Sequence, residues 1–145
     1  MRYTGAALSG ILYPSGPESE GGKTRYVNRM NKRETGPAYE SAAARFLETK
    51  GYRILERNYR CRFGEVDLIA QEGNTIVFCE VKFRRDLRVG HPLEAVDLRK
   101  QHRISKCALC YLTENRLSGQ ECRFDVVGIC GEEITLIRNA FEYVE

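Results

Sequence analysis

Four charged residues sit inside two apolar runs: Glu65 and Asp67 in GEVDLIAQ (64–71), Glu80 and Lys82 in TIVFCEVKF (75–83). The runs join through Glu72, Gly73, Asn74 and Thr75, and a Gly-Asn pair between strand-like segments predicts a hairpin. A loop of two residues or of four gives one register, in which opposing residue numbers sum to 147. Asp67 then faces Glu80, and Glu65 faces Lys82. Strand alternation places these four on one side with Ile69, Ile76 and Phe78, and Val66, Leu68, Val77, Cys79 and Val81 on the other. Opposed Cβ atoms lie about 4.5–5.5 Å apart, and two ionised carboxylates at that range repel by roughly 3 kcal/mol at an effective dielectric of about 20. Either one acid takes up a proton or a cation sits between them. Hard oxygens from neighbouring strands suit Mg²⁺ (or Mn²⁺), which accepts one or two carboxylates and keeps waters. Lys82, two residues beyond Glu80, reaches the same water shell. The competing reading is a solvated hairpin, with Glu65–Lys82 a surface ion pair worth little and the two acids splayed into water. A three-residue loop would slip the register and separate Asp67 from Glu80.

The elements that must hold these residues follow from periodicity and punctuation. Residues 1–36 are rich in Gly, Ser, Pro and charge and read as a disordered extension. Residues 37–145 form one domain, long enough for its own core. Pro37 opens a helix over AYESAAARFLETK that Gly51 stops. YRILERNYRCR (52–62) reads as a strand, the hairpin follows, and Pro92 starts a second helix reaching about Thr113. Strands at Cys122–Cys130 and Glu133–Ile137 end the chain. The fold class is α/β, a mixed sheet flanked by helices in the order α-β-β-β-α-β-β.

Charge carries a hint about partners. Six Lys/Arg and three Asp/Glu fall in residues 1–36, so the net +3 belongs to the extension and the domain is neutral. Within the domain, Arg53, Arg57, Arg60 and Arg62 group in one stretch, and Lys82, Arg84, Arg85, Arg88, Arg99, Lys100 and Arg103 in another, which suits a basic face for a polyanion. A mixed solvated surface is the plainer alternative. No run is long enough to span a membrane. The six cysteines lie in apolar runs and read as reduced core thiols, which points to a cytoplasmic protein. Cys107 and Cys110 form a CxxC without a second pair, so packing outweighs zinc.

These segments together are similar to the YraN-like family of uncharacterised endonuclease-like proteins, within the PD-(D/E)xK nuclease superfamily. The resemblance rests on GYRILERNYR, GEVDLIA, IVFCEVKFR, HPLEAVDLRKQHRISKCALCYL and RFDVV, and covers about residues 36–138. It implies a restriction-endonuclease-like core and Mg²⁺-dependent phosphodiester hydrolysis. By motif, Asp67, Glu80 and the carbonyl of Val81 would hold the metal, and Lys82 would orient or activate the attacking water. Val66 stands where the superfamily motif has proline.

Supporting roles remain double. Glu40 either extends the metal site or is a first-turn acid favoured by the helix dipole. Glu65 is an outer partner of Lys82 or a second-metal ligand. Lys100 interrupts the apolar stripe of Val96, Ile104, Cys107 and Tyr111 and so leans toward the sheet and a phosphate. With Gln101, Arg84, Arg85, Arg60 and Arg62 it forms the nucleic-acid-binding set. His91 and His102 are too isolated to act as a pair, and Asp125 pairs structurally with Arg123. The expected function is a metal-dependent nuclease hydrolysing DNA, branched or damaged DNA included, with a homodimer as one arrangement for a branched substrate. The alternatives are a non-catalytic nucleic-acid-binding or adaptor protein that retains the fold, and an interaction module with neither ligand.

Overall fold

The computed structural model describes residues 18–20, 23–25, 27–29, 36–84, 96–131 and 133–145. Its elements are β1 (Glu18–Glu20), β2 (Lys23–Arg25), β3 (Val27–Arg29), α1 (Gly36–Thr49), β4 (Arg53–Cys61), β5 (Gly64–Glu72), β6 (Thr75–Arg84), α2 (Leu98–Glu114), β7 (Cys122–Cys130) and β8 (Glu133–Phe141). From α1 onward this is the expected α/β order. β1 to β3 fall in the stretch expected to be disordered. β1 pairs with β2, and β3 adds to the sheet beside β8. Runs of three residues carry no readable periodicity, and the rest of 1–35 lies outside the described residues.

The main sheet has the order β3-β8-β7-β6-β5-β4. Among the described residues only β6 and β7 run parallel; the other neighbours are antiparallel. A parallel pair needs a crossover, and α2 lies in that connection. The helices cover opposite faces. α1 buries Ala42, Ala43, Ala44, Phe46 and Leu47 over Leu68, Ala70, Val77 and Cys79. α2 buries Ile104, Cys107, Ala108 and Tyr111 over Ile69, Phe78, Phe124 and Val126. Burial on both sides explains why β6 and β7 read as nearly unbroken apolar runs.

Local chemistry sets the element ends. Gly51 adopts φ +90°, so the Tyr52 N–H folds back to the Leu47 carbonyl at 3.1 Å and stops α1. α2 begins at Leu98 rather than Pro92, because Asp97 caps it and accepts from the Lys100 N–H at 2.8 Å. Pro92 and His91 lie outside the described residues. Gly73, at φ +58°, takes the positive-φ position of a two-residue turn. It sets Glu72 opposite Thr75 and Leu68 opposite Cys79. That is the expected register.

Candidate metal centre

Paired residues on β5 and β6 run as far as Leu68 and Cys79. One step further the backbone pattern gives way to a side chain: Asp67 Oδ2 accepts from the Val81 N–H at 2.8 Å. In a regular antiparallel ladder that N–H would donate to Val66. A carboxylate cannot enter an apolar layer without donors, and here it takes one from the neighbouring strand.

The substitution changes which way the strand faces. Leu68 packs under α1, whereas Val66 packs under α2 with Tyr59, its partner on β4. Strict alternation had placed Val66 beside Leu68, and that expectation fails. Across from Asp67, Asn58 sits at φ 51°, so both strands step out of the pleat together. Glu65 is turned away in consequence. A Cβ on Gly64 would lie 3.7 Å from Cys107 Sγ of α2, and Val66 also faces α2, so Glu65 between them points to the other side. It accepts from Arg60 Nε at 2.9 Å, and the expected pairing with Lys82 is replaced by this one.

Glu80 continues the α2 side of β6 and is only 3% exposed. Its Oε1 lies 3.1 Å from Lys82 Nζ and 3.3 Å from Lys100 Nζ. Its Oε2 is buried and has no hydrogen-bond partner among the described residues. Burial, reinforced by the Glu80 charge, pushes the Asp67 carboxyl up to about 7, against the opposing pull of the Val81 N–H and Lys100. The strands thus bring two acids into electrostatic contact. One of them holds its proton to neutral pH, and the other keeps a buried oxygen without a donor among the described residues.

This donor set fits a hard divalent cation. Among the described residues no three His, Cys, Asp or Glu side chains gather at one point, so an ion here would use two carboxylates, backbone oxygen and water. Mg²⁺ and Mn²⁺ accept such a set. Glu40 is the fifth residue of α1, beyond the first turn, and its charge contributes to raising the Asp67 carboxyl.

The basic residues separate. Lys100 reaches the sheet as expected, but it meets Glu80 there. Gln101 is occupied, its Nε2 donating to the Val96 carbonyl at 2.9 Å. Arg84 ends β6 and donates to the Phe83 carbonyl at 3.3 Å. Arg60 is bound to Glu65, and Arg62 lies over the Phe63 ring at 4.7 Å. Arg85 lies outside the described residues. Asp125 is tied to Arg123 at 2.8 Å, as expected, and also accepts from Tyr52 and the Asn139 N–H, both at 2.9 Å. Sequence reading missed the meeting of Cys61 with Cys107, whose sulfurs are 3.4 Å apart. Forty-six residues separate them, and only the packing of α2 on β4 joins them.

Comparison with known proteins places the chain. The model of the Uncharacterised protein family UPF0102 matches residues 39–129, a span that includes Asp67, Glu80, Lys82 and Lys100. The chain is similar to the UPF0102 protein of Lachnoclostridium phytofermentans, 50% identical over 114 residues that cover 78% of this chain and 97% of that one. It is 54% identical over 112 residues to the UPF0102 protein of Syntrophus aciditrophicus, covering 74% and 88%. With the UPF0102 protein of Caldicellulosiruptor saccharolyticus it shares 47% over 118 residues, covering 77% and 100%. The chain belongs to the uncharacterised protein family UPF0102, the YraN-like family that its motifs resemble.

Proposed function

We propose that the protein is a divalent-metal-dependent nuclease that hydrolyses phosphodiester bonds in DNA, branched or damaged DNA included. One observation carries this reading: where the β5–β6 ladder ends, the Asp67 carboxyl feels the charge of Glu80, and Lys82 lies 3.1 Å from Glu80. Opposed acids cost a fold stability unless a cation lies between them. Asp67, Glu80 and the Val81 carbonyl would hold Mg²⁺ or Mn²⁺. When bound, such an ion polarises a phosphoryl oxygen and lowers the pKa of its water. Asp67 must release its proton to serve as a ligand. Lys82, paired with Glu80 on the same strand, would orient the attacking water and offset charge gathering on the phosphate. The superfamily resemblance, together with Lys82 and Lys100 beside the acids, supports a polyanionic substrate.

A second reading, a non-catalytic nucleic-acid-binding protein, draws support from the pairing of Glu80 with both Lys82 and Lys100, since that pairing already neutralises the acid. Incubating labelled linear and branched duplexes with Mg²⁺ or Mn²⁺ separates the two. The nuclease reading expects cleavage that disappears in Glu80→Ala and Lys82→Ala; salt-sensitive binding without turnover under either metal favours the binder. Undiminished cleavage by Glu80→Ala would reject the assigned centre. Among the described residues no helix is long and apolar enough to cross a membrane.

A further inference from the structure

Two ammonium groups share Glu80 Oε1, at 3.1 and 3.3 Å, while Oε2 is buried without a hydrogen-bond partner among the described residues. Lys82 already balances Glu80 from the same strand, and Lys100, which also draws on Asp67, stands between the two acids, so its place there asks for its own explanation. We propose that Lys100 is a metal-responsive positioning residue, which competes with a divalent cation for Glu80 and turns to substrate phosphate when that cation binds. The inference rests on the nuclease reading for the cation's place beside Asp67 and Glu80.

The two lysines are not equivalent. Lys82 stands two residues from Glu80 on β6, an interior strand paired in register with β7, and its side chain is 24% exposed. Lys100 comes from the first turn of α2, and its side chain is 32% exposed. Its backbone is fixed by Asp97, and Gln101 anchors the same turn to Val96. The helix start therefore stays put while the four-carbon stem can rotate. A divalent ion on the same carboxylate brings like charge close to both ammoniums, and repulsion at that range outweighs a shared charge-assisted hydrogen bond. The lysine with the freer stem leaves. A released ammonium stays within a stem's length of the centre, as a point charge suited to a phosphate oxygen.

The test measures affinity rather than cleavage. Mn²⁺ binding to the full chain is titrated by electron paramagnetic resonance of the free ion, for wild type, Lys100→Met and Lys100→Arg. Removing the competitor should tighten Mn²⁺ binding roughly tenfold, the size of one charge-assisted hydrogen bond. Lys100→Arg should stay near wild type. A merely structural lysine would give the opposite, weaker binding in Lys100→Met. Duplex DNA affinity, read by anisotropy in Ca²⁺ and in its absence, should rise more with Ca²⁺ for wild type than for Lys100→Met. Equal or weaker Mn²⁺ binding by Lys100→Met overturns the inference and leaves the metal centre standing. Failure of wild type and both variants to bind Mn²⁺ removes the centre and the inference together. Lys100→Gln, with the same expectation, serves if Lys100→Met does not fold.

Discussion

Replacing Asp67 with asparagine should stabilise the protein increasingly as pH rises, when no divalent ion is present. The acid moves from its ordinary value of 3.8 up to about 7 in the fold. A carboxyl raised in this way favours the folded state fully below pH 3.8. That advantage drains away as the pH climbs through about 7, because the unfolded chain ionises first. A rise of that size corresponds to about 4 kcal/mol. Asparagine keeps an oxygen for the Val81 N–H and never ionises, so it escapes the loss. The advantage of Asp67→Asn over wild type should therefore grow by about 4 kcal/mol between pH 4 and pH 8. For a chain of this size that is roughly 10 °C in melting temperature. Urea unfolding at half-unit pH steps, in chelator, measures it. Saturating Mg²⁺ should then narrow that advantage at pH 8. An ion at a hundred times its dissociation constant adds about 2.7 kcal/mol to a protein that binds it, and the variant lacks one ligand. A flat difference between pH 4 and pH 8 would show that burial and the neighbouring Glu80 charge do not raise the Asp67 carboxyl, and would refute the reasoning.

Three further perturbations address the supporting structure. Asp97→Ala removes the cap of α2 and should cost about 1 kcal/mol, some 3 °C in a thermal melt. Arg123→Met leaves Asp125 buried without its ion pair, and calorimetry should register a loss of about 3–5 kcal/mol. Arg60→Ala breaks an ion pair whose arginine side chain is 78% exposed, so stability should change by less than about 0.5 kcal/mol. If Arg60 contacts DNA phosphate, the same variant should lower the salt slope of DNA binding by about one.

The hairpin was legible because a two-residue turn and a period of two leave one register, and the structure keeps it from Glu72–Thr75 to Leu68–Cys79. Arithmetic of that kind assumes that every N–H pairs with backbone. Asp67 breaks the assumption by capturing the Val81 N–H, and so the side of Val66 and the partner of Glu65 could not be counted forward past it. The stripe on α2 announced that Lys100 would reach the sheet. It did not reveal the carboxylate waiting there, since the angle at which a helix crosses a strand is absent from periodicity. Asn58 gives no warning either, beyond the tolerance of asparagine for positive φ. The meeting of Cys61 with Cys107 and the addition of β3 to β8 are products of tertiary packing alone.

Among the described residues β4 forms one margin of the sheet, and a straight margin is a template on which another chain can grow. Asn58 interrupts it at mid-length with its left-handed backbone, and Arg53, Glu56, Arg57 and Arg60 stand exposed around the break. An incoming strand would find short, kinked, charged footing there instead of a continuous row of donors and acceptors. This margin works against copies of the chain prolonging one another's sheets.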